Sequence, residues 1–143
     1  MHRRVFMQAA ALAALTLAAG PLLAQPAAPR KLRVVVQVSD NDPARWNLAL
    51  NNVRNLQEDV GAANVEVEIV AYGPGIAMLK LESPVASRIA DAGKAGTRVL
   101  ACENTMKALK LVRDDMAGGI GYVPAGVTTI VTRQSEGWAY LRP

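Results

Sequence analysis

Apolar and polar positions along the chain fall into blocks that read alternately as strands and helices. Leu32 to Val38 is a nearly unbroken apolar, β-branched run, as a strand covered on both faces should be. Ser39-Asp40-Asn41-Asp42-Pro43 then breaks it with cap residues and a proline suited to a first helical turn. Trp46, Leu50, Val53, Leu56 and Val60 follow at helical spacing, and Gly61 ends the helix. From Val65 to Ala71, apolar Val65, Val67 and Ile69 alternate with Glu66 and Glu68, which predicts a strand nearer an edge of the sheet.

Tyr72-Gly73-Pro74-Gly75 is a turn by composition, and Ile76 to Leu81 is expected as a short helical turn. Its apolar residues are assigned to the space under the loop or to a subunit contact. Ser83-Pro84 is an N-cap and first-turn pair, with Val85, Ile89 and Ala92 as the inner face of the helix behind it. A strand from Arg98 to Cys102 leads into a short helix capped by Asn104 and carrying Met106 and Leu109. Arg113 to Gly121 reads as a polar loop and Tyr122-Val123-Pro124 as a brief fourth strand. A last helix follows from Gly126 to Glu136, with Val127, Ile130 and Val131, and then a closing strand from Trp138 to Leu141. Strands alternating with helices predict right-handed βαβ units and a mainly parallel sheet covered on both faces.

The first residues lie outside this pattern. Arg3-Arg4 followed by an apolar run from Ala9 to Ala19 reads as an export signal over residues 1–24, with cleavage before Gln25. The arginine pair suits either the general or the twin-arginine export route. The run is short for a membrane span, so no stable membrane insertion is expected after cleavage, and an uncleaved anchor is the alternative. Residues 25–30 are read as a short leader and 31–143 as the folded domain, with a periplasmic location.

Without Arg3 and Arg4, 14 of the 16 basic residues face 12 acidic ones, a balance of +2. That balance gives no case for nucleic acid. The single histidine, His2, leaves with the signal, so Ser-His-Asp and Cys-His pairs and histidine metal sites are excluded in the mature chain. One cysteine allows no intrachain disulfide, and no cofactor is implied.

Ligands in parallel sheets sit beyond the strand carboxyl ends. The expected lining is therefore Ser39 to Asp42, Tyr72 to Gly75, Cys102 to Thr105 and Pro124 to Gly126, with Cys102 as the one strong nucleophile. A thiol between a strand end and a helix N-terminus is favoured as thiolate by the amide donors. The plain alternative is that Cys102 is a small core residue, as unpaired cysteines often are.

Val38 to Pro43, Trp46 to Asn52, Val70 to Gly75, Ala101 to Met106, Tyr122 to Gly126 and the closing Glu136 to Tyr140 together resemble the DsrE/DsrF-like family. The resemblance runs from about Lys31 to Pro143. It implies a three-layer α/β sandwich with a five-stranded, mainly parallel sheet, assembled into trimers or hexamers. It also implies sulfur relay, with a persulfide carried at the position matching Cys102 and passed between donor and acceptor proteins. Relay members act in the cytoplasm, whereas this chain carries an export signal.

Three functions follow from these readings. The first is sulfur transfer through Cys102, with hydrogen bonds from Asn104 and Thr105 and with the Glu103 carboxylate opposing the thiolate. Asp40, Asn41, Tyr72, Gly73 and Gly75 complete that candidate site. The second is a non-catalytic oligomeric module for a small ligand or a protein, with Leu48 and Ile76 to Leu79 as candidate interface residues. The third is a hydrolase or metal site built on Asp40 and Asp42, weighed against their plain role as helix caps.

Overall fold

The computed structural model describes residues 29–143. The expected signal, and the leader up to residue 28, lie outside the described residues. Five strands run as β1 (Leu32–Val38), β2 (Val65–Ala71), β3 (Arg98–Cys102), β4 (Gly121–Val123) and β5 (Ala139–Leu141). They form one sheet in the order β4-β3-β2-β1-β5, and every pairing is parallel. The helices are α1 (Pro43–Val60), α2 (Ala86–Lys94), α3 (Glu103–Ala108) and α4 (Gly126–Ser135), with short 3₁₀ turns between them.

Topology decides which face each helix covers. From β1 to β4 the chain steps in one direction across the sheet, and right-handed crossovers then place the connecting helices on one face. The passage from β4 to β5 runs back across the whole sheet, so α4 must lie on the opposite face. Side-chain alternation agrees. Val34, Val36, Val67, Ile69 and Val99 join Trp46, Leu50, Ile89 and Met106 in the larger core. Val35, Val70 and Leu100 meet Ile130 and Trp138 in a smaller one under α4.

Helix α1 starts where Pro43 follows an Asp42 cap whose carboxylate accepts from the Ala44 N–H at 2.9 Å. It buries Trp46, Ala49, Leu50, Val53 and Gln57, and Gly61 at φ 87° ends it. Truncating a buried leucine such as Leu50 to alanine costs ~2–5 kcal/mol in sites of this kind.

Several expectations are corrected. β2 is the central strand rather than one near an edge. Its alternation is not a solvent pattern, because Glu68 is fully buried and held by Arg98 at 2.5 Å and Arg133 at 2.7 Å. The segment after Tyr72 is a 3₁₀ turn, Gly73–Leu79, and its Ile76, Met78 and Leu79 lie in the monomer core, whereas Leu81 beyond it is exposed. Helix α2 begins at Ala86, two residues later than Ser83-Pro84 suggested. Ser83 instead caps that preceding turn, its Oγ accepting from the Val85 N–H at 3.3 Å. The loop from Arg113 contains a 3₁₀ turn, Arg113–Asp115, and delivers Met116 to the larger core. Leu109, Val127 and Val131 keep their helical spacing but stay exposed.

Candidate functional site

Cys102 closes β3, and Val123, the last residue of β4, lies opposite it in the register. From β3 the chain turns to the α1 and α2 face, where Met106 of α3 packs in the larger core. From β4 it turns to the other face into α4. Adjacent strands whose exits diverge leave a crevice at their carboxyl ends, the usual ligand position in such sheets. Cys102 sits at that crevice.

The sulfur meets two helix starts. Helix α3 begins at Glu103, so Cys102 itself occupies the cap position, two residues before the expected Asn104 cap. Helix α4 begins at Gly126, whose N–H donates to Cys102 Sγ at 3.2 Å. A side chain at Gly126 would place a Cβ 3.0 Å from Tyr72 Cβ and 3.3 Å from Cys102 Cβ, so this close approach favours glycine. Thr105 closes the group from α3, its hydroxyl accepting from the Gly73 N–H at 2.9 Å.

Burial pushes the thiol up, but hydrogen bonds oppose it. The Thr105 hydroxyl and the N–H groups of Gly126, Thr105 and Asn104 together hold Cys102 below the ordinary thiol value. The Asn104 N–H also donates to the Pro124 carbonyl at 3.2 Å, which ties the exit of β4 to the start of α3. The Glu103 carboxylate, expected to oppose the thiolate, is not among the groups acting on it. It lies instead 3.9 Å from the Arg113 guanidinium.

Of the other residues singled out in the sequence, Tyr72, Gly73 and Thr105 converge on Cys102. Gly75 belongs to the same turn and is needed there, because a Cβ would collide with the Val38 carbonyl. Asp40 and Asn41 lie beyond β1, two strands from β3. The Asp40 carboxylate is 3.5 Å from Arg142 and 3.9 Å from Arg45, and its carbonyl accepts from Trp46 Nε1 at 2.7 Å. Asn41 is exposed at the surface of that loop. Asp42 caps α1 and lies 3.7 Å from Arg45, so the two acids of the metal reading are engaged by arginine.

Gly73, Asn104, Thr105 and Leu109 line a shallow depression of about 420 Å³ beside the sulfur. A larger cleft of about 660 Å³ lies at the amino end of β3 and does not include Cys102. The thiol and the larger of these two cavities are therefore in different places. We assign the thiol site to the crevice because it holds the nucleophile and its donors.

A second polar group, undetected in the sequence, lies at that amino end. Glu68 accepts from Arg98 and from both Nε and Nη2 of Arg133, at 2.7 and 3.0 Å for the latter. Glu68 beside it holds the Arg133 guanidinium above its already high ordinary value. Arg133 also covers the Trp138 ring, 4.9 Å from its centroid.

A family model described as DsrE/DsrF-like matches residues 31–143. Among solved structures, the chain is similar to MTH1491 of Methanobacterium thermoautotrophicum, a protein of unknown function, at 39% identity and a TM-score of 0.75, covering 78% of this chain and 99% of that one. It also shares its fold with BT1422 of Bacteroides thetaiotaomicron, at 12% identity and a TM-score of 0.67, covering 82% and 100% of the two chains. The E. coli YchN protein is similar at 12% identity and a TM-score of 0.61, covering 80% and 99%. No curated protein matches the sequence.

Proposed function

The chain belongs to the DsrE/DsrF-like family, and from that premise we propose that it is an exported sulfur carrier working through Cys102. The observation that supports this most is the Gly126 N–H directed at Cys102 Sγ, 3.2 Å away, in a setting that lowers the thiol pKa. In the proposed step the Cys102 thiolate attacks the outer sulfur of a donor persulfide. The donor S–S bond breaks, the donor thiolate leaves, and Cys102 carries the sulfane sulfur as a persulfide. One S–S bond replaces another, so no external oxidant is needed. The shallow depression at Gly73, Asn104 and Leu109 is where we place the donor or acceptor protein.

We further propose a periplasmic location set by residues 1–24, and a homo-oligomer, trimeric or hexameric as the family resemblance implies. Exposed Leu48, Val127 and Val131 are available for that assembly. Light scattering of the purified protein and the N-terminal mass of the exported form test these two statements.

The alkylation rate of Cys102 against pH, followed by intact mass after incubation with a sulfane-sulfur donor, tests the carrier role. A midpoint below that of a free thiol, and a gain of one sulfur that Cys102→Ser abolishes, is the expected result. A thiol that reacts only on unfolding, with no gain, leaves a second reading. In it the protein is a binding module with Cys102 as a core residue, a view favoured by its 5% exposure.

A further inference from the structure

We propose that the cleft at the amino end of β3 and β4 binds a small organic anion, at a site separate from Cys102. Its volume of about 660 Å³ falls within the size range of small-molecule sites. The cleft exists because β4 is short and pairs with β3 only from Leu100 onward, opposite Gly121. Arg98 and Val99 therefore have no strand on that flank, and the Gly118-Gly119 approach to β4 passes around the gap.

The chemistry of the wall selects the ligand. Lys94 and Arg98 are its charged residues, and no carboxylate lines it. Ile89, Ile120 and Tyr122 supply an apolar side. Arg98 is fixed by its Nη1 bond to Glu68, and its other N–H donors meet no acceptor among the described residues. Its side chain is 54% exposed, so those donors are open to a ligand. Lys94 lies 3.4 Å from Asp91 in a pair exposed at both ends, which a bound anion would displace at little cost. A carboxylate on a compact apolar body suits two cations beside a hydrocarbon wall.

The glycines carry a second, independent indication. Gly121 lies in close packing, since a Cβ there would stand 2.7 Å from Leu100 Cδ2. Gly93 and Gly118 also line the cleft, yet a Cβ at either would meet nothing within 4 Å. Neither has a positive φ. Gly93 lies in the last turn of α2, where glycine is a poorer helix former than alanine. Neither packing nor backbone geometry calls for these glycines, and their bare backbone keeps the cleft open to a close-fitting ligand.

Amide-resolved NMR titration of the protein with benzoate, benzamide and inorganic phosphate tests the site. Benzoate is expected to shift the amides of Thr97, Gly118 and Gly119 saturably, benzamide to shift none of them, and phosphate to bind more weakly than benzoate. Gly93→Ala should keep or raise the melting temperature while weakening benzoate about tenfold, and Lys94→Gln should weaken it several-fold. Equal shifts from benzamide would overturn the anion selectivity, and phosphate binding as tight as benzoate would overturn the role of the apolar wall. Benzoate binding unaffected by Gly93→Ala, or no saturable shift at all, would overturn the site.

Discussion

At the carboxyl end of the sheet one ionisable sulfur is met by uncharged donors, whereas at the amino end one carboxylate is met by charged ones. Cys102 faces amides and a hydroxyl, with no cation among the groups acting on it. Glu68 faces two guanidinium groups and is fully buried between them. The two sets of partners have different consequences. The arginines neutralise Glu68 and lock its charge into packing, where it holds α4 against the sheet. Amides orient toward the sulfur without cancelling its charge, which leaves a thiolate able to react.

The sharpest way to break this contrast is at Glu68. Glu68→Ala leaves Arg98 and Arg133 without their shared acceptor. The cost of a broken buried pair is discounted here because Arg98 is half exposed and Arg133 keeps Glu136 at 3.0 Å. A loss of ~2–3 kcal/mol in denaturant unfolding is expected, with the alkylation midpoint of Cys102 unchanged. A coupled change in both would show that the two ends are not independent. Gly126→Ala should cost ~1–2 kcal/mol by crowding Tyr72 and Cys102, and should also raise the thiol midpoint as the N–H withdraws. Thr105→Val removes a donor to the sulfur and the acceptor of the Gly73 N–H, for ~1 kcal/mol, and again moves the midpoint upward.

The smallest effect is in pH linkage. The folded thiol ionises below its unfolded value, so its ionisation stabilises the fold fully above roughly pH 8.5, and that contribution disappears as pH falls through the folded value. Relative to Cys102→Ser, the native protein should therefore gain stability between neutral and alkaline pH. A constant difference in denaturation midpoint across that range would remove the proposed stabilisation of the thiolate.

Much of the fold was legible because it is written locally. The valine run of β1, the Asp42-Pro43 start of α1 and the apolar run ending at Cys102 each announce their element within a few residues. What escaped reading depends on partners far away in the chain. Glu68 resembles a solvent-facing residue until Arg98 and Arg133, separated from it by 30 and 65 positions, are brought beside it. Sulfur chemistry was legible at Cys102, but the Gly126 amide was visible only as a glycine at a helix start. The alternation of exits at β3 and β4, rather than any local motif, aims it at the sulfur. Val127 and Val131 show the opposite failure. Their spacing predicts burial, but α4 crosses its face of the sheet alone, and the side away from Ile130 has nothing to pack against.

The return of α4 across the sheet has a consequence in time. The buried residues of the larger core run from Val34 to Met116, whereas α4 and β5 are made after all of them. β5 must find β1 across about a hundred residues, with Ala139 settling opposite Val34, and such distant pairings form late. The larger core can therefore gather while Cys102 still lacks the Gly126 amide. During that interval the thiol lacks one of its donors, and the seating of β4 beside β3, with α4 starting at Gly126, completes the set.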